Sequence, residues 1–320
     1  MALPFNTLDA LSTKLIKEKA VFGIFKSNEV TKRMRKNQEI EEGGTTITQP
    51  LAVVDDTGST GGFYSPRDTL SLNEYDGFSA SQHDWKYLQE SVVLYKADIA
   101  KNGGKLGPVK LVASKVKLAE MAMAQRIIKG ILSDGTVSTG ALSASQFVGL
   151  QAVIASSGSY GGISSTDLTS WVSYVDDNSG SNRTLTQAIL DKGFDQTVEE
   201  GLGGATMGLC DKSVFTKVKG LFTGIQRTTR ESTLDGLGHK GTVLVYNGID
   251  YICENNMPAN TLFHVDERHF KLHVHKDNNM RVQEEKNLET ADAMLRRIFL
   301  YGNTIASERK FHSRINDITV

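Results

Sequence analysis

The sequence predicts an α+β fold, and three observations carry that reading. One long amphipathic helix stands out over residues 109–132. Several segments instead alternate with a period of two around Gly, Asn and Asp clusters. Glycine is frequent, at 30 residues, and proline scarce, at 5, which suits a strand-rich chain with many bends.

The elements follow in order. Residues 7–36 read as a helical arm, with Leu8, Leu11, Leu15 and Phe22 at helical spacing. Residues 40–78 read as a long hairpin. Thr45, Ile47 and Gln49 alternate toward Leu51, Val53 and Val54; a turn cluster follows at 55–62; a return limb is expected at Phe63-Tyr64 and Thr69–Leu72. A strand is expected over 85–100, ending at Asn102-Gly103-Gly104. Pro108 suits the first turn of the next helix. That helix carries the stripe Val112, Val116, Ala119, Met123, Ile127 and Ile131, with Lys110, Lys117, Glu120 and Lys129 off it. It is roughly 35–40 Å long at 1.5 Å per residue, and Ser133-Asp134-Gly135 stops it. Residues 148–182 are small, polar and glycine-rich around Trp171 and read as a loop with short strands. Helices are expected at 184–200 and 211–221, and a hairpin at 242–254 with Asn247-Gly248 at its turn. Strands are expected at 263–265, 270–275 and 293–306, before a polar tail.

With 320 residues and 39% apolar side chains, the chain can bury a sizeable core in one large or two joined domains. Its net charge of -1 neither suggests nor excludes a nucleic-acid partner. The basic residues are uneven, however. Residues 1–36 hold Lys14, Lys17, Lys19, Lys26, Lys32, Arg33, Arg35 and Lys36 against Asp9, Glu18 and Glu29. Such an arm is either a solvated helix or a loose phosphate contact. Cys210 and Cys253 form no C-x-x-C motif, so a disulfide framework is not expected and a reducing compartment fits. The start of the chain lacks the pattern of a signal peptide, and no apolar run approaches the roughly 20 residues of a membrane span. The sequon at Asn182 then carries no weight.

Catalytic signals are thin. His264, His269, His273 and His275 cluster in sequence; on a strand, His273 and His275 share a face and offer either a structural pair or two metal ligands. Nothing in the sequence places Asp266 or Glu267 on that face. There is no phosphate-binding P-loop and no G-x-S-x-G elbow, and Gly58–Gly62 reads as a turn rather than a phosphate cradle. The adjacent pairs Asp55-Asp56 and Asp176-Asp177 point to opposite sides of an extended chain. No cofactor is expected.

Four blocks in a shared order carry a resemblance. The first is Tyr64-Ser65-Pro66-Arg67-Asp68-Thr69-Leu70 with Trp85-Lys86. The second is Lys101-Asn102-Gly103-Gly104, then Lys115–Glu120, closing at Asp134-Gly135. The third is Gly149–Ile154 with Gly158, Gly161-Gly162-Ile163 and Trp171. The fourth is Tyr246–Ile249, Phe270–Leu272 and Leu300–Asn303. Together they resemble the major capsid proteins of tailed bacteriophages, with the Hong Kong 97-type coat fold.

The resemblance implies an N-terminal arm at 1–40 and an extended loop at 41–78. It implies a peripheral domain at 79–147 and 263–292, built on the spine helix, and an axial domain at 148–262 and 293–320. It further implies a non-enzymatic, self-assembling protein of the virion, made in the host cytoplasm. Its pentamers and hexamers would close an icosahedral shell around double-stranded DNA, with portal and scaffolding proteins and in some cases a decoration protein, and without a membrane. In that setting the hairpin is a clasp: Leu51, Val53, Phe63, Tyr64 and Leu70 would be covered by a neighbouring subunit, because an isolated ribbon is marginal in water. A mobile surface loop is the alternative. Lys32, Arg33, Arg35 and Lys36 would face DNA without reading sequence. No lysine lies between Lys36 and Lys86, so no lysine cross-link from this loop is expected. The competing readings are an encapsulin-like compartment shell and, in another class, a metal-dependent enzyme using the His264–His275 cluster.

Overall fold

The computed structural model describes residues 28–52, 63–69, 78–101, 107–136, 145–198, 203–222, 229–231, 242–283, 286–287 and 290–319. The described residues begin with helix α1 (Glu29–Lys36), strand β1 (Glu39–Glu41) and a two-stranded ribbon of β2 (Thr46–Ala52) and β3 (Phe78–Asp84). Strand β4 (Lys86–Tyr95) and the short helix α2 (Lys96–Lys101) lead to the spine helix α3 (Gly107–Ile131). Helix α4 (Leu150–Val153), strands β5 (Ser159–Tyr160), β6 (Ile163–Ser164) and β7 (Tyr174–Asp176), and helix α5 (Gln187–Asp195) follow. Next come β8 (Met207–Cys210), α6 (Lys212–Leu221), β9 (Thr229–Glu231), β10 (Thr242–Tyr246), β11 (Ile249–Cys253), β12 (Leu262–Val265) and β13 (Phe270–His275). The chain ends with β14 (Arg281–Val282), β15 (Lys286–Asn287), β16 (Ala293–Ala306) and β17 (Ser313–Ile315).

Two sheets organise the body. In the six-stranded sheet, β16 pairs antiparallel with β4 from Ala293 opposite Tyr95 to Gly302 opposite Lys86, and also with β13, β14 and β15; β1 adds on parallel to β13. The seven-stranded sheet runs β7-β17-β12-β8-β11-β10-β9. The stripe expected on the spine helix is buried at every position from Val112 to Ile131. It packs with Val92, Leu94, Ile298 and Leu300 of the first sheet and with Leu209, Ile252 and Phe263 of the second in one core. The opposite face of the second sheet forms another core under α5 and α6, with Cys210, Tyr251, Leu262 and Ile315 beside Leu190, Val214 and Val218. Strand β8 is therefore buried on both faces. The hairpin turn at Asn247-Gly248 forms as expected, with φ of 48° and 78°, values that Asn and Gly adopt most easily.

Several boundaries differ from expectation. The ribbon returns at Phe78–Asp84 rather than at Phe63–Tyr64, with Ile47 opposite His83 and Leu51 opposite Ser79. Residues 65–68 instead close a turn: Asp68 N–H donates to the Ser65 carbonyl at 2.9 Å, and Ser65 N–H donates to the Asp68 carboxylate at 2.7 Å. The strand expected over 85–100 ends at Tyr95 and turns helical. The tail holds a strand that pairs with both β7 and β12. The sheets also divide the chain differently. Residues 293–306, assigned to the axial part, form the longest strand of the six-stranded sheet, while residues 263–265, assigned to the peripheral part, lie in the seven-stranded one. The helical arm at residues 7–27, with Leu8, Leu11, Leu15 and Phe22, lies outside the described residues.

Candidate assembly surfaces

The ribbon is two-faced. Among the described residues, strands β2 and β3 pair only with each other. Their inward side chains, Ile47, Leu51, Ser81 and His83, are buried against the molecule's own body. Gly161 makes that docking close. Its φ is +61°, its carbonyl accepts from Gln82 N–H at 2.8 Å, and a Cβ there would stand 2.6 Å from the Ser81 Cβ and 2.9 Å from His83 Nε2. His83 tilts against Tyr160 at 4.9 Å between ring centroids. Burial, reinforced by His273, pushes the His83 imidazole down to about 4. The root is pinned again where Trp85 Nε1–H donates to the Gly44 carbonyl at 2.9 Å and Asn303 Nδ2–H to the Asp84 carbonyl at 2.9 Å.

This geometry corrects one expectation. Leu51 is covered by its own chain, as part of the main core, and needs no neighbour. Phe63 and Tyr64 are exposed, Tyr64 at 66%, and Phe78 on the ribbon's outer side is exposed at 82%. Val53 and Leu70 lie outside the described residues. Phe78, which the sequence reading passed over, was marked only by its place in an alternating run. Leu118 and Met121 on the spine helix and Tyr87 on β4 add exposed apolar surface.

The described part of the arm, from residue 28 on, is anchored to the body. Asn28 caps α1 by accepting from Val30 N–H at 2.7 Å, and its amide donates to Glu254. Val30 and Met34 are fully buried. Arg33, expected to face DNA, instead donates to Glu29 at 3.3 Å, to Glu267 at 3.2 Å and to Asp250. Burial opposes its charge, but these carboxylates outweigh it and raise the guanidinium further above its ordinary range. Arg33 therefore serves to bind the arm to the second sheet, because three acids converge on it. Arg35 is half-buried, while Lys32 and Lys36 on the same helix are exposed.

The histidines separate. His264 is fully buried in the seven-stranded sheet, where its Nε2 meets the Tyr251 hydroxyl at 3.0 Å and its Nδ1 meets Ser313 Oγ at 3.1 Å. His269 stacks on Phe311 at 4.5 Å. His275 lies edge-on to Trp85 at 5.5 Å. His273 is buried between two arm carboxylates, with Nδ1 at 2.9 Å from Glu41 and Nε2 at 3.6 Å from Glu39. Among the described residues, Glu39, Glu41 and His273 are the one trio of ligating groups lying close together. The two carboxylates sit at opposite ring nitrogens, and Lys271 already pairs with Glu39. Burial opposes ionisation of Glu39, but Lys271 and His273 hold its carboxyl below the usual range. A cation would have to displace that ammonium, so the arrangement suits an ionic clamp that fastens β1 to β13. Asp266 and Glu267, the acids near these histidines in sequence, turn instead to Arg268 and Arg33.

An anchored arm, a projecting ribbon, a sheet braced by a spine helix and a second sheet joined through a common core define a class of protein, the shell-forming coat proteins with the Hong Kong 97-type fold. Residues 99–305 match the family model of the SU10 major capsid protein, and the chain belongs to that family. Similar solved structures include a cyanophage A-1(L) capsid subunit (TM-score 0.66, 14% identity, covering 90% of this chain and 92% of that one). A Mycobacterium phage Bobi chain gives a TM-score of 0.54 at 11% identity, with 89% of each chain covered. The SrpI encapsulin from Synechococcus elongatus PCC 7942 gives 0.57 at 10% identity, covering 88% of this chain and 84% of that one. No curated protein sequence matches the chain. As a member of that family the chain is a major capsid protein, and its role is structural, as a repeating unit of the capsid.

Proposed function

We propose that this chain closes the shell as pentamers and hexamers around double-stranded DNA, with the ribbon as the clasp between subunits. The observation that carries this reading is the ribbon's asymmetry. Its root is buried on its own body, while Phe63, Tyr64 and Phe78 stand uncovered. Large apolar groups left in water on this part of the chain gain stability only when another surface covers them. A neighbouring copy does this, with Val53 and Leu70 joining the contact. Residues 1–40 serve as the arm and 41–78 as the extended loop. The six-stranded sheet with the spine helix forms the peripheral part, and the seven-stranded sheet the axial part. Lys32 and Lys36 supply weak, salt-dependent phosphate contacts. Portal and scaffolding proteins, and a decoration protein where present, complete assembly in the host cytoplasm. The ribbon holds its neighbour without a lysine cross-link.

The test is the double variant Phe63→Ser with Phe78→Ser in the full chain, produced with its scaffolding partner. The expected result is folded subunits with wild-type circular dichroism and few or no closed shells by electron microscopy and sedimentation. Shells of normal yield and urea resistance would overturn the clasp.

A further inference from the structure

Cys210 and Cys253 are distant in sequence, yet the fold sets them side by side. Strand β11 pairs parallel with β8, and Cys253 is the register partner of Cys210. Register partners share a face, and their neighbours identify it. Cys210 packs with Ile249 and Tyr251 under α5 and α6, whereas the alternate residues Leu209 and Ile252 belong to the opposite core. The Cys210 thiol already leans toward β11, with Sγ donating to the Ile252 carbonyl at 3.8 Å. Adjacent strands lie roughly 4.8 Å apart, within the roughly 4.4–6.8 Å that disulfides bridge between Cα atoms. Cys210 is buried and Cys253 exposed, and both are free thiols.

We propose that Cys210 and Cys253 form a redox pair that closes to an intrachain disulfide when the particle leaves a reducing compartment. The oxidant is a small-molecule disulfide. The Cys253 thiolate attacks one of its sulfurs, forming a mixed disulfide and releasing one thiolate, which takes a proton. Cys210 then gives its proton to solvent and attacks Cys253 Sγ, expelling the second thiolate. Two protein thiols are oxidised, and one disulfide is reduced to two thiols. Burial pushes both protein thiols up, with Asp211 adding to the effect at both and Glu254 at Cys253. The pair is therefore slow to react at neutral pH, and closure quickens in alkali.

The bond would act at a junction. Asp211 caps α6 by accepting from Val214 N–H at 2.8 Å, and Glu254, whose N–H donates to the Cys210 carbonyl at 2.8 Å, holds Asn28 of the arm. Stapling β8 to β11 would fix the arm's anchor to the helix-bearing sheet.

The experiment treats the full chain, free and in shells, with oxidised glutathione at about pH 8.5, followed by alkylation in denaturant and mass spectrometry. The expected product is a monomer that has lost two hydrogens, with the two cysteine peptides joined. Its Tm rises by about 3 °C or more, reversibly with dithiothreitol. Cys210→Ser should stop as a glutathione adduct on Cys253, and Cys253→Ser should stay unmodified. If Cys210→Ser does not fold, the wild-type mass alone decides. A wild-type chain that halts at the adduct with Cys210 still alkylatable, or that joins Cys253 to a second chain, would overturn the pair.

Discussion

Replacing Arg309 by alanine should be among the most damaging single changes in the chain. Arg309 is 1% exposed. Its guanidinium donates from Nε to the Val153 carbonyl at 2.8 Å, from one terminal nitrogen to the Trp171 carbonyl at 2.7 Å and from the other to the Ala155 carbonyl at 3.1 Å. It also lies over the Tyr160 ring at 5.4 Å. The loop from 153 to 173 thus folds around one side chain contributed by the tail. Burial lowers the guanidinium from its ordinary value, and the three carbonyl dipoles stand where a carboxylate would otherwise be needed. Truncation orphans the Trp171 carbonyl at about 1–3 kcal/mol. It strips the charged donor from the Val153 carbonyl, which keeps only Ala155 N–H and the Ser173 hydroxyl, and from the Ala155 carbonyl, which keeps only Ser173 N–H, at about 1.5–3 kcal/mol for each lost bond; relaxation and entering water return part of that. A loss of about 3–5 kcal/mol is expected, a large share of the roughly 5–15 kcal/mol that holds a domain together. Urea unfolding of dissociated subunits, followed by the fluorescence of the buried Trp171, measures it. Arg309→Met keeps the volume but not the donors and should be nearly as damaging. A loss under about 1 kcal/mol for alanine, or a methionine variant as stable as the parent, would refute the argument that hydrogen bonding rather than packing dominates here.

Two further outcomes follow from the same structure. Gly161→Val adds a Cβ within 3 Å of Ser81 and His83 at a φ of +61°, so the ribbon root should lift; chymotryptic cleavage near Phe78 should rise about tenfold, the effect of roughly 1.4 kcal/mol, and an unchanged rate would contradict the docking. Acid should unfold the subunit through three histidines buried neutral: His83 and His264, pushed down to about 4, and His312, pushed down to about 3, all with burial as the main cause. Their stability contribution is complete above the unfolded value of 6.5 and is lost as pH falls toward 4, at roughly 1.4 kcal/mol per unit for each. His264→Gln should flatten the pH dependence of urea midpoints between 6.5 and 4, and an unaltered slope would remove His264 from the set.

Local patterns were legible in the sequence and distant pairings were not. The spine helix was readable because its apolar period recurs through six positions, and the Asn247-Gly248 turn because its residues tolerate positive φ. The ribbon's first strand was readable, but its return was not, since the register depends on Ser81 and His83 meeting Gly161, a contact no local pattern announces. Leu51 was mistaken for an interface residue for the same reason: alternation shows that one face is apolar, not which molecule covers it. Arg33 looked like a DNA contact because its carboxylate partners Asp250 and Glu267 lie far along the chain. The tail looked merely polar because Arg309 is satisfied by backbone carbonyls, which every sequence possesses.

The ribbon's division into a covered root and an uncovered outer side has a mechanical consequence. A clasp covered wholly by its neighbour would have no defined direction before assembly, and the entropy of ordering it would oppose each contact. Here the root is aimed in advance by Trp85, Asn303, His83 and Gly161, so only the remainder must find a partner. The arm is treated the same way, through Arg33 and the His273 clamp. The described parts of both extensions are thus preorganised by their own chain, which on the proposed clasp reading lowers the ordering cost of each contact with a neighbouring copy.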